Sequence, residues 1–135
     1  MNRWMRLLII LCVISVGDAA AACLKYETVS ITGTLVRQTY AGPPDYDSVT
    51  KGDEPSVIWI IQLDAGLCVV DPDPRYPKEY NELEVQLVAG GQSLRFQQLL
   101  GKRVIATGKL LPGGAKYDKR LVLSATEIKK TGVLR

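Results

Sequence analysis

Leu99-Leu100-Gly101-Lys102-Arg103-Val104-Ile105-Ala106-Thr107-Gly108-Lys109-Leu110-Leu111 changes its apolar period part-way along. Up to Leu100 the period is helical: Phe96, Leu99 and Leu100 stand at i, i+3 and i+4. Ser93 is placed to cap the start of that short helix, accepting from the free amides of its first turn. Gly101 stands where a helix ends in a left-handed residue, because glycine has no Cβ to clash there. Beyond it the period is two. Val104, Ala106, Gly108 and Leu110 share one face of a strand; Ile105, Thr107, Lys109 and Leu111 share the other. Gly108 inside that strand marks a bulge or sharp bend.

Upstream, Thr28 to Arg37 alternates, with Val29, Ile31, Gly33 and Leu35 on the inner side. Residues 39–56 form a long loop, in which Gly42-Pro43-Pro44-Asp45-Tyr46-Asp47 is rich in turn formers and Tyr40 and Tyr46 are free to pack on the body. Val57 to Leu63 is apolar on both sides, as in a strand covered on both faces. Asp71 to Asn81 holds three prolines, which argue against regular pairing. Glu82 to Ala89 is a third strand: Leu83, Val85 and Leu87 face inward, and Glu82, Glu84 and Gln86 face water. Gly90-Gly91 is a hinge into the helix, Pro112-Gly113-Gly114 a turn, Arg120 to Ile128 the fifth strand, and 129–135 a frayed tail.

Three strands, a short helix and two more strands fit a mainly all-β fold. The expected fold is a small five-stranded OB-like Greek-key barrel with one short helix between strands 3 and 4. Another small α+β sheet is the alternative.

The N-terminus reads as a secretory signal peptide over residues 1–22. Arg3 and Arg6 precede an apolar run from Leu7 to Val16, too short to span a bilayer comfortably, and Ala19 to Ala22 offers small residues for cleavage. A buried N-terminal helix or a retained anchor are the alternatives. The expected single domain is then 23–135. Loss of Arg3, Arg6 and Asp18 takes the net charge from +3 to +2, against a nucleic-acid partner, which requires a concentrated basic surface.

Of the three cysteines, Cys12 lies in the leader. Cys23 and Cys68 pair in an oxidising compartment. The rival reading is a lipoprotein: Ala20-Ala21-Ala22-Cys23 approaches a lipidation box, with Ala20 where leucine is usual. A membrane association follows only in that case.

Several segments carry a resemblance. Cys23-Leu24-x-Tyr26-Glu27, Gly33-Thr34-Leu35, Gly52-Asp53-Glu54-Pro55 with Trp59 following, Leu63 with Cys68-Val69, Val85-Gln86-Leu87-Val88, and Leu100-Gly101-Lys102-Arg103-Val104 with Gly108-x-Leu110 recur in order over nearly all of residues 23–135. In these the chain resembles the bacterial exported domain-of-unknown-function family DUF4431. The resemblance implies an exported small barrel with a Cys23–Cys68 bridge, and no activity. The family's histidine cluster before the last strand is missing here. That loop is Pro112-Gly113-Gly114-Ala115-Lys116-Tyr117-Asp118, and the chain has no histidine, so a metal role does not carry over.

Without histidine there is no Ser-His or Cys-His couple and no imidazole zinc site. Asp45 with Asp47, or Asp71 with Asp73, could pair for glycoside hydrolysis or, at Asp71-x-Asp73, for calcium; Asp in such loops is commonly a turn residue. No cofactor is implied. The expected function is binding of a protein or envelope component, as in an inhibitor or immunity-like protein. The alternatives are an oligosaccharide or peptidoglycan ligand, or a carboxylate-dependent envelope hydrolase. The candidate surface is Arg37, Tyr40, Tyr46, Tyr76, Tyr80, Lys116 and Tyr117, since a tyrosine offers a flat apolar ring with a polar tip. Trp59 reads as core.

Overall fold

The computed structural model describes residues 22–89, 93–114 and 116–132. Residues 1–21 of the expected leader, the expected Gly90-Gly91 hinge and residues 133–135 lie outside them. Five strands follow in order: β1 (Thr28–Ala41), β2 (Pro55–Val69), β3 (Glu79–Ala89), β4 (Arg103–Pro112) and β5 (Leu121–Lys130). A 3-10 turn (Val49–Lys51) interrupts the β1–β2 connection, and a helix, α1 (Ser93–Gln98), joins β3 to β4.

The strands close into a barrel in the order β1-β2-β3-β5-β4. Strand β1 serves two neighbours. Its first half pairs with β4 (Thr28↔Lys109 to Thr34↔Arg103), its second with β2 (Thr34↔Gln62 to Ala41↔Pro55). All pairings are antiparallel except β3 with β5, which is parallel and short, from Gln86↔Val122 to Ala89↔Ala125.

The core inside the barrel comes from the alternation read in the sequence. Ile31 and Leu35 of β1, Ile61 of β2, Val85 and Leu87 of β3, Val104, Ala106 and Leu110 of β4, and Leu121, Leu123, Ala125 and Ile128 of β5 are all buried. Gly108 is a bulge: the β4–β5 register shifts between Thr107 and Gly108. A Cβ on Gly108 would fall onto the Ser124 carbonyl oxygen and the Ala125 Cα, so no larger residue lets the strands approach this closely. Gly101 has the positive φ that the sequence anticipates, +77°, but α1 ends at Gln98, so this glycine serves the turn closed by Lys102 N–H to the Leu99 carbonyl and does not cap the helix.

Six residues are too few for α1 to be stable alone. It is pinned by Phe96, 1 % exposed, whose ring meets Trp59 edge-on at 5.8 Å between centroids. Trp59 is half-buried against the core rather than inside it. Leu100 falls beyond the helix and is exposed. The Ser93 side chain lies outside the described residues, and with it the proposed cap.

Several boundaries differ from the sequence reading. Strand β2 runs to Val69 and β3 begins at Glu79, so pairing resumes two residues after Pro77. Register shifts between Gln62 and Leu67, and again before Val69, let the extended hairpin continue past a bulge. Strand β5 runs to Lys130, two residues into the expected tail: Lys129 and Lys130 pair with Ile105 and Val104.

Two faces of β3 are also reversed at single positions. Leu83 has the inward parity yet is 50 % exposed, because the β2–β3 register shifts opposite it, between Gln62 and Leu67, and breaks the regular alternation there. Gln86 has the outward parity yet is 5 % exposed, because the chain after β4 folds over it. The N-terminal segment is tied to the same end of the barrel. Cys23 and Cys68 are disulfide-bonded with Cα atoms 4.8 Å apart, and Leu24 makes a parallel bridge with Val69.

Candidate functional site

The outer surface of the β2–β3 sheet is not bare. Ile58, Ile60 and Val122 are buried yet stand apart from the core cluster within the barrel. Over the neighbouring β3 positions runs the chain between β4 and β5. The Asp118 backbone N–H donates to the Gln86 amide oxygen at 3.1 Å. Lys119 Nζ lies 2.5 Å from Glu84 Oε2. The Arg120 guanidinium lies 3.4 Å from Glu82 Oε1 and 3.8 Å from Glu79 Oε2. Glu82, Glu84 and Gln86 are successive outward positions on β3, and three consecutive residues engage them in reverse order. The segment 118–120 is thus strapped across β3, and the stripe assigned to water is partnered.

Two grooves flank the strap. One, of about 440 Å³, is lined by Asn81, Glu82, Leu83, Glu84 and the strap. The other, of about 320 Å³, is lined by Pro77, Glu79, Gly114, Tyr117 and the strap. They share Asp118, Lys119 and Arg120. A third hollow, about 250 Å³ beside the β2 bulge, is lined by Leu24, Ser30, Ile31, Thr32, Leu63, Asp64, Ala65 and Leu67.

The strap's electrostatics follow from burial. Glu79 is held above the usual carboxylate range, first by burial and then by the like charge of Glu82, with Arg120 opposing. Lys119 is raised by its bond to Glu84, and the Tyr40 hydroxyl lies close enough to add to the effect. At the same end Tyr26 donates its hydroxyl to the Pro77 carbonyl at 2.8 Å. Burial, Glu79 and Asp71 push the Tyr26 phenol up to about 12.

The predicted surface is only partly assembled. Tyr117 lines the second groove, with Lys116 Nζ 5.2 Å from its ring centre. Tyr40 bonds Gln38 and reaches Lys119 from the β1 side. Tyr76 packs on Tyr26 at 5.1 Å, next to Pro77. Tyr80, on β3, is exposed. Arg37 lies apart, 3.5 Å from Gln97 of α1. Tyr46 is 70 % exposed on the β1–β2 loop rather than packed on the body.

The Asp pairs behave as turn residues. Asp71 accepts from the backbone N–H groups of Tyr26 and Asp73, and Asp73 is bound by Arg75 at 2.6 Å. Asp47 pairs with Lys51, and Asp45 and Asp47 donate their backbone N–H groups to Asp53. Among the described residues no group of three or more Cys, Asp or Glu is placed to hold a metal ion.

Sequence reading missed Glu79, Glu82, Glu84, Lys119 and Arg120. The sequence held only the two halves of the signal, an alternating Glu82-x-Glu84 and a distant Lys119-Arg120 doublet of opposite charge, with nothing to join them. Compared with known proteins, the chain matches no family model and no curated protein.

Proposed function

We propose that this chain is an exported, disulfide-tied barrel of the OB type whose work is to bind a protein or another component of the cell envelope, as an inhibitor or immunity-like protein does. The observation that carries this is the paired groove along β3 and the β4–β5 connection. Barrels of that type take ligands on the face of strands 2 and 3 and the adjoining loops. The strand order, the parallel β3–β5 pairing and a helix between β3 and β4 support the assignment of type. The leader pattern and the Cys23–Cys68 bridge support export. The resemblance to DUF4431 agrees with both.

The groove's chemistry favours protein over nucleic acid. Glu79, Glu82, Glu84 and Asp118 outnumber Lys119 and Arg120 around it, which repels a phosphate backbone. Exposed Tyr76, Tyr80 and Leu83 nearby offer amphipathic and apolar contact of the kind protein surfaces use.

The test immobilises the oxidised domain and exposes it to envelope extract. In parallel, peptidoglycan and oligosaccharide fragments are titrated against tyrosine and tryptophan fluorescence. One stoichiometric protein partner, with no response to glycans, is the expected result. Saturable quenching by a glycan with no protein retained would replace this reading with a sugar-binding one.

A further inference from the structure

Strand β3 has an open edge. It pairs with β2 along its length but with β5 only from Gln86 to Ala89. Among the described residues, no backbone hydrogen bond joins Asn81–Val85 to the strap that runs beside them. Asn81 has φ +56° and the β2 register shifts opposite Leu83, so the extended open edge is Glu82–Val85, roughly 13 Å, whose outward N–H and C=O groups have no backbone partner in the strap. The 440 Å³ groove lies along this edge.

Outward-facing side chains, not backbone, hold the strap next to the opening: Lys119 on Glu84 and Arg120 on Glu82. Charged side chains are a common guard against unwanted strand pairing. Here the guard is short of cations. Arg120 serves Glu79 and Glu82 together, and the two half-buried carboxylates hold the Glu79 proton more tightly than an exposed acid would. A second cation at this point would relieve them. Exposed Leu83 on this stretch, and exposed Tyr80 just before it, offer apolar contact to an incoming chain.

We propose that the open edge of β3 receives an extended, basic segment of a partner protein as an added strand, with a lysine or arginine of that segment seated at Glu79 and Glu82. This rests on the protein-binding reading above and names its site. Main-chain pairing supplies affinity, and the carboxylates select positive charge.

The probes are three short peptides. One alternates valine with lysine, one alternates valine with glutamate, and one repeats the first with alternate amides N-methylated. Each is titrated by fluorescence anisotropy at low salt against the full, oxidised domain, followed by amide hydrogen exchange. The basic peptide should bind, and exchange at amides within Glu82–Val85 should slow by about tenfold or more. The acidic and N-methylated peptides should bind at least about tenfold more weakly. The double variant Glu79→Gln, Glu82→Gln should lose affinity for the basic peptide while keeping its far-ultraviolet circular dichroism. Binding that leaves those amides unprotected, or that ignores N-methylation, reduces the effect to charge attraction and overturns the proposal. Failure of all three peptides while an envelope protein is still captured also overturns it, and leaves the binding reading standing.

Discussion

Two acidic regions of this molecule treat their carboxylates in opposite ways. In the β1–β2 connection Asp53 is buried and accepts from the backbone N–H groups of Asp45 at 3.1 Å, Asp47 at 2.8 Å and Ser48 at 2.8 Å. These bonds hold its carboxyl below the ordinary range. On the β3 edge, Glu79 has a neighbouring acid and a shared guanidinium, and it lies above that range. One carboxylate organises a loop from residues within eight positions of itself. The other is placed by strand pairing and by a strap 41 residues away in sequence, Arg120 against Glu79. A fully bonded carboxylate fits a structural role, and one held above its ordinary range beside a like charge fits the binding edge proposed above.

The largest effect that separates the two regions is covalent. Replacing Cys23 and Cys68 by serine opens a closure with a sequence separation of 45. The chain-entropy model puts the loss at about 4 kcal/mol, which corresponds to roughly 15–20 °C in Tm for a domain of this size. Amide exchange should locate the damage. Tyr26 and its neighbours beside β3 should lose protection, whereas Asp45, Asp47 and Ser48 should keep theirs below the new transition. Equal loosening of both regions would dissolve the contrast.

Asp53→Ala attacks the other side. Three backbone donors lose their acceptor at once, so Tm should fall by several degrees and exchange should accelerate at Asp45, Asp47 and Ser48, with the β3 edge unchanged. The pH dependence has a definite sign. A depressed folded pKa means that the contribution is fully present above the unfolded value of 3.8 and is lost as pH falls below it, through the folded value. The wild-type loop should therefore stay protected at pH 4, where exposed aspartates are already half protonated.

How much of this was legible depends on sequence distance. Val104, Ala106, Gly108 and Leu110 declared their face, because inward packing enforces a two-residue period in any single strand. Gly108 declared its bulge and Gly101 its turn, because both rest on the missing Cβ. The Asp residues of the loops read as turn residues where their partners are local, as with Asp71 and the Asp73 N–H, but the bond from the distant Tyr26 N–H to Asp71 had no local signal. Leu83 and Gln86 were misread for a common reason. Parity states which way a side chain points but not what comes to cover it. A register shift against β2 uncovers one, and a strap from beyond β4 covers the other. The strap's partners were hidden in the same way: nothing near Glu79, Glu82 or Glu84 in sequence announces Lys119 and Arg120.

Tyr26→Phe probes the junction between the bridge and the β3 edge. The loss of the 2.8 Å bond to the Pro77 carbonyl should cost about 1 kcal/mol near neutrality. The alkaline limb is the sharper test. The Tyr26 phenol titrates near pH 12 in the fold against 10.0 in an exposed reference, so the folded state resists ionisation. Stability should hold up to pH 10 and fall as the pH rises from 10 to about 12. The phenylalanine variant should lack this residue's part of that fall. Identical alkaline limbs would mean that the phenol is not sequestered.

Glu79→Gln should give the smallest change, and its sign is what matters. A carboxyl raised above its unfolded pKa binds its proton more tightly in the native state, so its ionisation opposes folding. The penalty is absent well below the ordinary glutamate pKa of 4.5, grows as pH rises through it, and is complete above the folded value. The neutral isostere should therefore stabilise the domain at pH 7, by under about 1 kcal/mol, because Arg120 already offsets part of the charge. At pH 3.5 the gain should vanish. Asp53→Asn, its counterpart in the β1–β2 loop, should do the reverse, destabilising at pH 7 and less so under strong acid. If both substitutions destabilise at neutrality, Glu79 is a structural partner of Arg120 like any satisfied ion pair, and the β3 edge has no charge in want of a ligand.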